Sequence, residues 1–326
     1  MRKNKKKRKI RLMIENIFLV ILAIFTITIF CYALIKPNDF YEKLDNAIYK
    51  VLKVHIYADI DKKVNSNYVI KNASNKDYSS SIKYIYYSLL DETEKDIYND
   101  IYDAITKYDE DILLTNIDIA DINNIMHAVL YDHPEIFWID IEYGIAKTNN
   151  MTRLIFKYKY DIDTINDNIA KINNEVDRIV SEANKFDTDY EKELYVHDIL
   201  SKEVTYNKRL VDDQSIYSLF INKEAVCTGY AKAFQLIMTK LGIPTYTITG
   251  YITENHAWNL IELEDGFYNV DVTYDDLGDI TLYKYFNQND TTISKDHIKD
   301  TNLSKFKYNN GTKYINTYST IYEKNK

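Results

Sequence analysis

The chain has 326 residues, 46% of them hydrophobic and 28% charged, with a net charge of −8. That balance supports a sizeable core and excludes wholesale disorder, while seven Gly and three Pro exclude a collagen-like or linker-rich chain. Residues 1–36 hold nine Lys/Arg against one Glu, whereas residues 37–326 hold 32 basic and 48 acidic residues, so nucleic acid is not an expected partner of this acidic body.

Eight of these nine basic residues, Arg2, Lys3, Lys5, Lys6, Lys7, Arg8, Lys9 and Arg11, form a block, and an uncharged apolar run follows from Ile17 to Ile35. Nineteen residues in a helix span roughly 28 Å, about the thickness of a bilayer's hydrocarbon. A cleaved signal peptide fits less well. The run is too long, Cys31-Tyr32-Ala33 is a poor small-x-small site, and Phe30 before Cys31 does not suit lipoprotein processing. The expectation is a cytoplasmic basic arm at 1–11 and a single transmembrane anchor at 12–36, with the body outside the cell by the positive-inside rule. Cys31 lies in the anchor and leaves Cys227 alone in the body, so no disulfide can form there.

Phe40, Leu44, Ile48 and Val51 suggest a short helix beside the membrane, and the polar stretch 58–80 reads as a linker. Asp91 with Glu94 is a capping-box pattern, and Ile97, Ile101, Ile105 and Tyr108 follow at helical spacing. A second helix starts near Asp118 or Asp121, uses Ile122, Ile125, Met126 and Val129, and is broken by His133-Pro134. Ile136–Tyr143 and Leu154–Tyr160 read as two strands joined across 147–150. Ile165, Ile169, Ile172, Val176, Ile179 and Ala183 trace one face of a long helix, and Asp187–Val204 is a further helix. These elements divide the body into a helical leader with a β-hairpin over 37–160 and a second domain over 161–326, an α+β fold in all.

In the second domain Cys227–Leu241 is helical and stops at Gly242-Ile243-Pro244. Three strand-like runs follow, Thr245–Tyr251, His256–Leu263 and Phe267–Thr273, the last two joined at Asp265-Gly266. From Thr281 the chain is polar and Tyr-rich, without strong periodicity.

Cys227 opens its helix, where amide groups and the helix dipole favour a thiolate. His256 begins the next-to-last strand, and Asp271 lies near the end of the returning one. Thiol, imidazole and orienting carboxylate are the groups a covalent acyl-transfer enzyme needs. One tension stands in the arithmetic. A two-residue turn at Asp265-Gly266 pairs Leu260 with Asp271, which leaves Asp271 four residues along from His256, roughly 13 Å. A bulge or a different turn has to shift the register.

The order Ala225-Val226-Cys227-Thr228-Gly229-Tyr230-Ala231, Leu241-Gly242-Ile243-Pro244, His256-Ala257-Trp258-Asn259 and Phe267-Tyr268-Asn269-Val270-Asp271-Val272-Thr273 resembles the transglutaminase-like superfamily. Weaker similarity reaches back to Tyr195-Val196-His197-Asp198 and Val204-Thr205-Tyr206 and forward to Tyr285-Phe286. Asp132-His133-Pro134-Glu135-Ile136-Phe137-Trp138 resembles the leader of bacterial surface members. Glu224-Ala225 stands where many members have glycine, and Tyr274 where Trp is usual. The resemblance implies a papain-like Cys-His-Asp triad of Cys227, His256 and Asp271 on an α+β core, a nucleophile-bearing helix packed on an antiparallel sheet. It implies acyl transfer on peptide or carboxamide substrates at the cell surface or wall, by cross-linking or hydrolysis, with no cofactor and no metal. Gly229, Tyr230, Trp258 and Asn259 are expected near the substrate pocket. The rival reading is a catalytically silent binding module of the same fold.

Other polar residues read more plainly. His197 shares the apolar face of its helix with Tyr190 and Leu194 and is expected in the core. His133 and His297 are expected to be structural or solvated. Asp275-Asp276-Leu277-Gly278-Asp279 does not fit an EF-hand loop and reads as a solvated turn, and no Cys/His spacing suits zinc.

Overall fold

A computed structural model describes residues 83–115, 117–147, 151–208 and 214–315. The basic arm, the expected anchor, the helix expected at 40–51 and the linker at 58–80 lie outside the described residues. Among the described residues no helix is long and apolar enough to cross a membrane.

The leader begins with a single turn, α1 (Ile85–Ser88), and α2 (Glu92–Lys107). The capping box is present: Asp91 accepts from the Glu94 amide at 2.8 Å, and Glu94 accepts from the Asp91 amide at 2.9 Å. Ile97, Ile101 and Ile105 form the buried face. Then come β1 (Asp111–Thr115) and α3 (Ile119–Asp132), which buries Ile122, Ile125, Met126 and Val129. Asp132 turns back to accept the Tyr86 and Tyr87 amides at 3.1 and 2.8 Å, satisfying donors at the start of α1.

The hairpin is displaced from its expected position. Its strands are β2 (Gly144–Lys147) and β3 (Met151–Ile155), and β1 pairs with the other edge of β3. Ile136, Phe137, Trp138 and Ile139 instead fill the core as irregular chain, with a lone bridge between Ile139 and Tyr158. A short continuous apolar run carries no periodicity to separate strand from core filler.

The remainder holds α4 (Ile162–Ala183), α5 (Asp189–Glu203), β4 (Thr205–Tyr206), β5 (Glu224–Ala225) and α6 (Cys227–Lys240). Next are β6 (Thr245–Tyr251), β7 (Asn255–Leu263), β8 (Gly266–Val270), α7 (Val272–Asp275), α8 (Asp290–Ile293) and β9 (Ile298–Lys299). The main sheet is antiparallel in the order β8-β7-β6-β9. Helix α6 lies across β6 and β7 and is tied to them by polar pairs. Gln235 Oε1 accepts the Thr247 amide at 2.9 Å, and Asn259 Nδ2 donates to the Ala231 carbonyl at 2.8 Å.

Two expectations change here. The β7–β8 loop is Glu264-Asp265, not Asp265-Gly266: Leu263 pairs with Gly266 and Leu260 with Asn269. Asp265 is held elsewhere, accepting the Thr312 and Lys313 amides at 2.8 and 2.9 Å and the Tyr268 hydroxyl at 2.7 Å. Gly266, at φ +141°, runs so close to the tail that a Cβ would lie 2.7 Å from the Asn309 carbonyl oxygen. The strand also ends at Val270 and not at Thr273. Asp271 caps α7, its Oδ1 accepting the Tyr274 amide at 3.1 Å. The polar tail returns to the sheet as β9, pairing with Gly250 and Tyr251 at the outer edge of β6.

Candidate active site

Cys227 is the first residue of α6, and the preceding Val226 is extended and offers no side-chain cap. The amides of the first turn therefore have no helical acceptor and point their positive end toward the thiol. The thiol is partly exposed, hydrogen-bonds the His256 side chain and receives the Ala257 backbone N–H. Burial pushes it up, but His256 and the Ala257 amide outweigh that, and the net displacement is below the ordinary thiol value.

The revised register settles the distance problem. With Asn259 opposite Val270, Asp271 continues to the position across from Trp258, two residues from His256 instead of four. His256 Nε2 lies 2.6 Å from Asp271 Oδ2. That oxygen belongs to an acceptor, so Nε2 carries a hydrogen and Nδ1 is the nitrogen left for Cys227. Asp271 is buried, which raises it, yet the bonds from His256 and His297 hold it below the usual carboxylate range. His256 moves the other way: burial lowers it, and the bonds to Asp271 and Cys227 raise it further than burial lowers it. The Trp258 ring stacks beside His256 at 6.1 Å and 18°, and the Tyr274 edge closes on it at 4.9 Å.

Thus Cys227, His256 and Asp271 come together. Gly229, Tyr230 and Asn259 are buried in the packing under the site and do not line the opening above the thiol. Tyr230 donates to Asp276 Oδ2 at 2.6 Å, and Trp258 donates from Nε1 to Asn269 Oδ1 at 3.2 Å. The opening is a cleft of about 620 Å³ whose walls include Tyr206, Gln214, Thr228, Thr249 and Asp300. Lys208 and Glu254 pair at its rim. Its far wall comes from the leader: His127 and Tyr131, stacked at 4.2 Å on one face of α3. Burial lowers His127 to about 4.

Two residues here were not singled out from sequence, and a third, His297, was not expected at the site. His127 and Tyr131 stand four apart on a helix, a spacing that puts them on one face and was available as a signal. His297 offered none, being one histidine in a polar tail. Of the two expectations for it, structural or solvated, the first holds: it is buried, with Nε2 3.0 Å from Asp271 Oδ2 and Nδ1 2.6 Å from Asp296 Oδ1. His256, Asp271 and His297 each place one potential metal ligand within 4.8 Å of the others. A zinc ion at ~2.0–2.1 Å from each would hold those atoms roughly 3.3 Å apart. Separations of 2.6 and 3.0 Å fit shared hydrogens instead.

A second buried network lies between α5 and α7. His197 Nε2 is 3.3 Å from Asp275 Oδ2, and Asp275 also accepts the Tyr285 amide at 3.0 Å. Asp275 and Asp276 are therefore internal and not the solvated turn expected. One helical turn before His197, Glu193 is fully buried and accepts Asn287 Nδ2 at 3.0 Å. Glu193 Oε1 and Asn287 Oδ1 are both without partners.

Residues 177–272 match the transglutaminase-like superfamily, and this part of the chain is a transglutaminase-like core. No curated protein sequence matches the chain. Among solved structures, it is similar to one described as a TGase, at 14% identity and a TM-score of 0.31, covering 50% of each chain. It is also similar to the periplasmic domain of TgpA from Pseudomonas aeruginosa, at 12% identity and a TM-score of 0.26, covering 40% of this chain and 62% of the other. The chain thus spans between half and two thirds of those structures. His127, Tyr131 and His297 all lie outside the matched segment.

Proposed function

We propose that this protein is an extracytoplasmic cysteine acyltransferase or a cysteine protease or amidase, held to the membrane by residues 17–35 and acting on peptide or carboxamide groups at the cell surface or wall. The observation that carries this reading is the chain of contacts from the Cys227 thiol through His256 to the buried Asp271. His256 takes the thiol proton. The thiolate attacks the carbonyl carbon, the C–S bond forms, and charge moves to the carbonyl oxygen, where the amides at the start of α6 can stabilise it. The C–N bond breaks as His256 returns the proton to the leaving amine. A second amine or water then attacks the thioester, gives its proton to His256, and restores the thiol. Asp271 keeps the imidazole oriented and favours its charged form.

The test uses full-length protein in detergent, a glutamine-containing peptide and a tagged primary amine. Mass spectrometry should find the peptide as a thioester on Cys227, with ammonia released. The tagged amide would identify a transferase, and a peptide with glutamate in place of the glutamine a hydrolase. Cys227→Ala should give neither. An unreactive Cys227 in the folded wild type would favour a silent binding module.

A further inference from the structure

We propose that His297 is a positioning residue for the Cys227–His256 pair, holding the Asp271 carboxylate by a second contact on the same oxygen that His256 contacts. The inference rests on the reading of Cys227 as the nucleophile. It extends that site to a segment of chain outside the matched core.

The argument begins at Asp271, whose two oxygens are treated differently. Oδ1 accepts the Tyr274 amide at 3.1 Å, which fixes one corner of the carboxylate to the backbone of α7. Oδ2 accepts from both His256 and His297. A carboxylate held at one oxygen can still swing about that contact. Donors converging on the other oxygen from two directions remove the swing and point Oδ2 at the His256 ring.

His297 is itself restrained at both ends. Its Nδ1 contacts Asp296 Oδ1, and the other Asp296 oxygen accepts the Tyr285 hydroxyl at 2.8 Å. Lys284 donates to that hydroxyl at 2.5 Å and lies 3.7 Å from Asp296. Around the ring stand Trp258, Tyr285, Tyr274 and His256, with centroids 5.1, 4.9, 5.6 and 5.8 Å away. The charged and titratable groups facing it are therefore His256, Asp271, Asp296, Tyr274 and Tyr285, with Lys284 behind. Backbone pairing brings the ring here. Its own amide accepts no freedom either, donating to the Ile293 carbonyl at 2.9 Å, and β9 begins at the next residue.

If His297 acts in this way, its loss lets Asp271 drift, His256 gains less from becoming charged, and the thiolate loses its partner. Loss of this restraint moves the acid limb of Cys227 reactivity to higher pH, whereas loss of a cationic ring alone would move it to lower pH and would count against a positioning role. The experiment is the rate of alkylation of the full-length protein by iodoacetamide between pH 5 and 9, with near-ultraviolet circular dichroism on each variant. His297→Leu should react about tenfold more slowly near neutrality and shift the limb upward by roughly half a pH unit or more. His297→Gln, whose amide can replace Nε2 as the donor, should restore the rate to within about threefold. Asp296→Ala, on the partly exposed side of the ring, should reproduce a weaker version of the loss without threatening the fold. A His297→Leu profile that superimposes on the wild type overturns the proposal. So does an Asp296→Ala profile that superimposes on it when His297→Leu fails to fold. A wild-type thiol that titrates at the ordinary value, ~8.5, would instead overturn the underlying reading of Cys227.

Discussion

His256 and His297 meet on a single oxygen of Asp271, one at 2.6 Å and the other at 3.0 Å. The Asp271 carboxylate is thus a junction between the core and the returning tail. That arrangement leads to several measurable consequences.

Cys227 is expected to react with alkylating reagents well below the ordinary thiol range of ~8.5. The sign follows from the site: His256 and the Ala257 amide favour the thiolate, and burial opposes them without prevailing. His256→Ala should move the acid limb of the alkylation profile upward and slow labelling at pH 6. Labelling of the native wild type that begins only near pH 8 would count against the pair.

Asp271→Asn should reduce turnover by roughly 10–10³-fold, less than in serine enzymes because a thiol is intrinsically more acidic. Asp271 is buried and caps α7, so the substitution also removes structural support. A loss of about 1–3 kcal/mol in urea unfolding is expected. Unchanged turnover, with Cys227→Ala inactive, would assign the orienting role to another residue.

Glu193 and Asn287 leave one acceptor each unpartnered in the core. One proton on the carboxyl answers both: the acid hydroxyl can donate to Asn287 Oδ1 while Oε2 accepts Asn287 Nδ2. Burial raises Glu193 to about 8, with the Asn287 bond and His197 pulling the other way. A raised folded value means that the native state holds its proton longer than the unfolded chain. This contribution to stability is therefore complete below about 4.5 and disappears as pH rises toward about 8. Glu193→Gln keeps the paired geometry without a titrating group. Its stability should exceed that of the wild type by a few kcal/mol at most near pH 8.5, and the excess should shrink at pH 5. Parallel stability curves for the two proteins would refute the assignment.

Gly250→Ala should impair thiol reactivity without replacing Cys227, His256 or Asp271. A Cβ at this position would lie 2.1 Å from the Ile298 carbonyl oxygen and 2.7 Å from the Trp258 ring, so both the β6–β9 pairing and the ring beside His256 must give way. Because His297 adjoins β9, its contact with Asp271 should loosen as well. A severalfold slower alkylation at neutral pH is expected, roughly matching Asp296→Ala. Normal kinetics would mean that the edge strand and the site are uncoupled.

Much of this was legible from sequence because local rules and packing agreed. The Asp91/Glu94 capping box, the Ile stripes of α2 and α4, and the Gly242 stop after α6 each state their structure within one or two turns. Cys227 at a helix start and His256 in the first residues of a strand were readable for the same reason. The turn was not: Asp-Gly favours a tight hairpin, but Asp265 is committed to amides near residue 312, nearly fifty positions away. The hairpin of the leader was misplaced because 136–139 serve the core without periodicity. His297 was invisible because its role depends on a strand two residues long, paired at long range.

The lateness of β9 in the chain has a further implication for how the protein matures. Most of the core, from α4 to β8, is made and can begin to condense before residue 297 has been synthesised. At that stage the thiol and His256 can already meet, but Asp271 lacks one of its two imidazole contacts. A fully aligned nucleophile then awaits closure of the sheet edge by the tail. If the body is exported, as proposed, that sequence of events would keep the Cys227 thiol at low reactivity during passage and raise it only in the finished molecule.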